Sequence, residues 1–112
     1  MDRRIGWVLE QLRADGLEDD TVILFFADNG RLEARGIHWC YDTGLHVPMI
    51  IRWPKNFPVP AQIRPGAVNE QVISLLDVTA TTLAIGSVPR PPLMQSRSFL
   101  GTLADPPRQF AF

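Results

Sequence analysis

The sequence is short of several things, and each shortage closes off a class of protein. It has a single cysteine, Cys40, so no disulfide can form within the chain, and the redox compartment stays open. It has no long apolar run. Val22 to Ala27 and Val47 to Ile51 are the longest, far below the ~20 residues that cross a bilayer, so no transmembrane helix is expected. It has no excess of one charge either. With 11 Lys and Arg against 12 Asp and Glu, the net charge is −1 and the basic residues are scattered. Neither nucleic acid nor a membrane surface is expected as a partner held by bulk electrostatics. The start, Met1-Asp2-Arg3-Arg4, runs into an amphipathic pattern instead of an apolar signal region, so no secretion signal is read and the localisation stays open. Internal repeats and low-complexity tracts are lacking too.

What is present is a globular composition: 112 residues, 46% hydrophobic and 21% charged, enough for one small domain or part of a larger one. Ile5, Val8, Leu9 and Leu12 recur at the spacing of one buried stripe and predict a helix over 2–15. Asp2 is its candidate cap, Gly16 its stop, and Trp7, beside the stripe, is expected to pack. After the acidic turn Glu18-Asp19-Asp20, the run Thr21 to Asp28 is apolar without alternation. It predicts a strand buried on both faces, as in the middle of a parallel sheet. Asp28-Asn29-Gly30 is a turn signature. Residues 31–46 have no clean period. A second apolar strand, Val47 to Trp53, is stopped by Pro54, and Pro54, Pro58, Pro60 and Pro65 mark a surface loop. Ser74-Leu75-Leu76-Asp77 has the form of a capping box, with Asp77 as the capping residue, and predicts a helix over 75–85 ended by Gly86. Phe99 to Leu103 is read as one helical turn and Asp105-Pro106-Pro107 as extended. The fold class is therefore α/β: two buried strands flanked by helices with long loops. Two such strands need more neighbours than this chain supplies, so an incomplete domain is expected.

Asp28 and Asn29 stand at the carboxyl end of the first strand, where open α/β sheets bind ligands. A carboxylate beside an amide carbonyl offers hard oxygen donors, suited to Ca²⁺ or Mg²⁺ more than to zinc. The same tripeptide also suits a plain turn.

The surrounding blocks point further. Leu17 to Gly30 resembles the sulfatase pattern GLEDNTIVIFTSDNG, and Tyr41 to Pro54 resembles YEGGIRVPLIVRWP. Ser74 to Leu83 is similar to SLVDLAPTLL, and Met94 to Leu100 to MQGRSFL. The four blocks stand in the family's order and cover nearly the whole chain. The resemblance implies the alkaline-phosphatase-like α/β fold, a partial sandwich here. It also implies hydrolysis of sulfuric esters or sulfamates with a formylglycine and a divalent metal, usually Ca²⁺. Asp28 and Asn29 then match the family's metal ligands. The substrate of the complete enzyme would be a sulfated small molecule or glycan, and members of the family are often periplasmic or secreted.

The departures carry as much information. The family's nucleophile motif, C-x-P-S-R, is absent from these 112 residues, and Cys40 lies in Trp39-Cys40-Tyr41-Asp42 on the wrong side of the D-N-G block. Cys40 is read as a partly buried loop residue, and no catalytic residue is assigned. Residues 1–112 are expected to be a partial sulfatase catalytic domain, without its nucleophile-bearing N-terminal part, inactive and self-associating alone. Set against the form RGKQFLYDEG, Ile37 falls where the family commonly has its sulfate-binding lysine. Arg35 or His38 is the candidate replacement, each also readable as an ordinary loop residue. His46 replaces the usual arginine before Val47-Pro48 and is read as a residue at the strand entrance. Two other functions stay open: a phosphodiesterase or phosphonate hydrolase of the same superfamily, and a small non-catalytic α/β binding or scaffold domain.

Overall fold

The computed structural model describes residues 1–110. The chain divides into two compact units, Met1–Pro58 and Val59–Phe112.

In the first unit, helix α1 spans Asp2–Ala14. Met1 is its N-cap, and Asp2 lies in the first turn without a side-chain capping bond. Gly16 ends the helix as expected. Its φ of +71° suits glycine, and the Gly16 N–H donates to the Arg13 carbonyl while the Leu17 N–H donates to that of Leu12. That pair of bonds is a Schellman closure, which satisfies carbonyls the helix leaves without partners. A 3-10 helix, Glu18–Asp20, follows. Its carboxylates tie the unit together. Glu18 accepts from Arg13 Nε at 3.0 Å and pairs with Arg52 at 3.0 Å, while Asp19 pairs with Lys55 at 3.2 Å. The bonded Arg13 guanidinium, more than any other group, holds the Glu18 carboxyl below the usual carboxylate range.

Strands β1 (Ile23–Phe26) and β2 (Met49–Arg52) pair antiparallel, with Phe25 opposite Ile50 and Phe26 opposite Met49. A short helix, α2 (Asp42–Leu45), lies in the connection. Opposed residues in such a ladder share a face, so both faces of this two-stranded sheet are apolar. The two-faced pattern read from the sequence is therefore real, but two expectations change. The strands run antiparallel, not parallel, and neither is buried on both faces. Phe25 and Ile50 on one face and Phe26 on the other are exposed, because among the described residues no helix packs on either face of the sheet. Trp7 is corrected as well. It is 57% exposed, and Arg3 stands over its ring at 5.3 Å. The half-buried line of α1 is Ile5, Leu9 and Leu12, with Val8 exposed beside it.

The second unit is built on helix α3, Leu76–Ile85, closed by Gly86 as expected. The Asp77 side of the capping box forms: the Ser74 N–H donates to Asp77 Oδ2 at 3.0 Å. The same carboxylate accepts the Arg97 N–H at 2.8 Å and both Nε and Nη2 of Arg108, each at 2.7 Å. One turn on, Thr81 Oγ1 accepts the Phe99 N–H. The segment from Ser96 to Leu100 is thus fastened to α3 through polar groups. Among the described residues of this unit the buried side chains are largely polar too: Asp77, Thr81, Ser96 and Ser98 beside Ala80 and Leu100. Leu100 to Leu103 forms a turn rather than the helical turn expected there.

Candidate functional site

The first unit positions the candidate site at the end of β1. Beyond Phe26 the ladder adds one more bond, from the Ala27 N–H to the Pro48 carbonyl at 3.3 Å. The chain then bends at Asp28 and Asn29, both exposed. Among the described residues neither side chain has a hydrogen bond or ion pair.

Gly30 explains why the excursion after the turn comes back to it. A Cβ at Gly30 would strike the Thr43 carbonyl oxygen and stand 2.5 Å from the Gly44 Cα. The D-N-G turn and the Y-D-T-G segment are therefore in backbone contact. Gly44 in turn lies against the Trp39 and Gly36 carbonyls, so the loop closes on itself through glycines. Three backbone bonds shape its interior, from the N–H groups of Gly36, Ile37 and Trp39 to the carbonyls of Glu33, Arg31 and Gly36. Arg35 and His38 take left-handed backbone conformations, with φ of 66° and 75°. Non-glycine residues held there carry strain of roughly 1–3 kcal/mol each, and such residues gather at functional sites.

Arg35 is exposed, with its guanidinium carbon 5.3 Å from the centre of the Tyr41 ring. The Thr43 hydroxyl donates to the Arg35 carbonyl at 2.6 Å. His38 is exposed as well. The structure thus places Asp28, Asn29, Arg35 and His38 on one turn and the loop that leaves it, joined by the Gly30–Thr43–Gly44 contact. Tyr41 and Thr43 were not singled out from sequence. Their only signal was membership in the Y-D-T-G block. Cys40 is exposed, not partly buried as expected. His46 caps α2 just before β2, with Nδ1 3.5 Å from Asp42.

The donors at the turn fit a hard divalent cation in kind, a carboxylate and an amide oxygen with no competing partner. They do not complete a site. Ca²⁺ takes six to eight oxygen ligands, and among the described residues no group of three or more His, Cys, Asp and Glu could hold a metal.

Comparison with known proteins decides the family. The sulfatase family model matches residues 1–88. The chain belongs to the sulfatase family. Membership implies the alkaline-phosphatase-like fold, and sulfatases typically use Ca²⁺ and a formylglycine. An ulvan-active sulfatase of Formosa agariphila is 37% identical over 111 residues, covering 98% of this chain and 17% of its own length. The N-sulphoglucosamine sulphohydrolase of Homo sapiens is 36% identical over 91 residues, covering 81% of this chain and 17% of its own length. Arylsulfatase K of Bos taurus is 29% identical over 103 residues, 88% of this chain. The chain spans 17% of the length of the first two of these curated relatives. No helix among the described residues is long and apolar enough to cross a membrane.

Proposed function

We propose that this chain is one segment of a sulfatase catalytic domain, the segment that carries part of its metal site, and that the complete enzyme hydrolyses sulfuric esters of a glycan. Asp28 and Asn29 supply two of the oxygen donors to a Ca²⁺ ion, with Mg²⁺ as the substitute. A cation held there would supply Lewis-acid polarisation of a sulfate oxygen. Arg35, whose planar guanidinium can give paired hydrogen bonds, takes the sulfate in place of the lysine that Ile37 displaces, with His38 as the second candidate. The observation that carries this reading is the pair of oxygen donors without partners at the strand end, held by Gly30 against the Y-D-T-G turn. The glycan class rests on the name of the ulvan-active relative, while the N-sulphoglucosamine sulphohydrolase names a sulfated sugar whose sulfo group is on nitrogen. No C-x-P-S-R motif occurs in the 112 residues, so this chain by itself contributes ligands and no nucleophile.

The test is calorimetric. In an enzyme that carries this segment with its nucleophile, Asp28→Ala lowers Ca²⁺ affinity at least tenfold and abolishes aryl sulfate turnover, with the melting temperature of the metal-free protein unchanged. Unaltered Ca²⁺ binding in that variant overturns the assignment. Residues 1–112 alone show no turnover with Ca²⁺ and a formylglycine-generating enzyme. Turnover that vanishes on Cys40→Ala overturns that part and makes Cys40 the nucleophile.

A further inference from the structure

Trp39 and Tyr41 lie on the loop with the candidate anion-binding arginine, and the functional reading above uses neither ring. Trp39 is 59% exposed and Tyr41 48% exposed. The two rings stand 6.3 Å apart and are tilted by 41°, so they are not stacked flat on each other. Trp39 differs from Trp53 in the partner of its indole. The Trp53 indole donates to the Pro58 carbonyl at 3.0 Å, whereas the Trp39 indole has no hydrogen bond among the described residues. The backbone beneath is fixed, because the Trp39 carbonyl lies against Gly44 and Gly44 against Gly30, the residue that follows Asp28 and Asn29. Arg35 sits over one face of the Tyr41 ring and brings positive charge beside Trp39 and the other face.

A sugar ring matches this surface. Its face of C–H bonds is weakly positive and meets the negative face of an aromatic ring, each contact small and the set additive. Its hydroxyls accept from a free indole N–H, and a sulfate on the ring is complementary to the arginine. We infer that Trp39 and Tyr41 form a stacking platform for the sugar ring that bears the sulfate, with Arg35 at its edge. The inference rests on the Arg35 reading above, and the experiment separates the two.

Saturation-transfer NMR on the 112-residue chain reads the platform from the ligand's own protons and tolerates self-association. The probes are N-acetylglucosamine 6-sulfate, N-acetylglucosamine, and inorganic sulfate as competitor. In the wild-type chain, saturation reaches the ring protons of both sugars, and the sulfated sugar binds at least tenfold more tightly than the plain one. Trp39→Ala weakens the sulfated sugar about tenfold and leaves the inhibition constant of inorganic sulfate unchanged. Trp39→Phe, which keeps a ring and guards against a folding defect, stays within about threefold of wild type. Equal affinity of wild type and Trp39→Ala for the sulfated sugar, or no saturation of ring protons in the wild type, overturns the platform. Arg35→Ala is the separate arm and weakens both inorganic sulfate and the sulfated sugar. If it changes neither while Trp39→Ala still acts, the platform holds and only the anion assignment of Arg35 fails.

Discussion

Arg108 grips Asp77 with two parallel hydrogen bonds, Nε to Oδ2 and Nη2 to Oδ1, each 2.7 Å long. Asp77 is 1% exposed and also accepts two backbone N–H groups, so its four bonds compensate the burial of a charge. Removing the carboxylate leaves three donor groups without it. Asp77→Ala is expected to destabilise the second unit by about 3 kcal/mol, read by urea denaturation. A loss below about 1 kcal/mol would show that the fork does little.

The same pair sets an acid limit. Burial pushes the Asp77 carboxyl up, but Arg108 and the N–H groups of Arg97 and Ser74 outweigh it, and the net pKa lies below the usual aspartate value. A carboxyl depressed on folding adds stability above its unfolded pKa of about 3.9, and that stability fades as pH falls through the lower folded value. Acid unfolding of the wild type should therefore deepen below about pH 4. In Arg108→Met, burial acts with less opposition and the folded pKa rises toward the unfolded value, so the acid-dependent loss from this carboxyl should be smaller than in the wild type. Circular dichroism across an acid titration decides it. Superimposable curves for the two proteins would remove Arg108 from the account.

Gly16 and Gly30 are both glycines for a reason, but not the same one. At Gly16 the backbone is left-handed and space is open, so Gly16→Ala should cost about 1 kcal/mol and leave the loop intact. At Gly30 a methyl group meets the Thr43 carbonyl, and relief requires moving one backbone away from another. Gly30→Ala should cost about 1–3 kcal/mol and change the near-ultraviolet signal of Trp39 and Tyr41, which Gly16→Ala should not. Equal spectra for the two variants would contradict the contact.

The sheet predicts association. Ile50 is 62% exposed in a two-stranded sheet whose outer edges have no strand partner among the described residues, an arrangement that invites further strands. Sedimentation of residues 1–112 should show concentration-dependent oligomers, and Ile50→Lys should shift them toward monomer. A wild-type chain that sediments as a monomer at every concentration would rule this out.

Much of the local structure was readable from sequence. The α1 stripe and the Gly16 and Gly86 stops depend on neighbours within a turn or two, so α1 and α3 fall within a residue or so of expectation. Strand direction was not readable, because it depends on how the long connection from Phe26 to Met49 folds back. That path is set by glycine contacts between residues far apart in sequence, as with Gly30 and Gly44. Asp77 was recognised as a cap from Ser74, three residues away, while its strongest partner, Arg108, lies 31 residues away with no motif to join them. At the candidate site, Asp28 and Asn29 were proposed from oxygen donors at a strand end and from the family resemblance, and Arg35 or His38 from that resemblance. The exposure of Trp39 and Tyr41 and the Thr43 bond to Arg35 depend on loop geometry that composition does not carry.

The polar character of the buried side chains around α3 has a thermal consequence. Exposing hydrocarbon on unfolding raises heat capacity, whereas exposing polar groups lowers it. With Asp77, Thr81, Ser96 and Ser98 buried beside Ala80 and Leu100, the two contributions oppose each other. The stability of this unit should then vary less steeply with temperature than that of a unit of the same size with a hydrocarbon core.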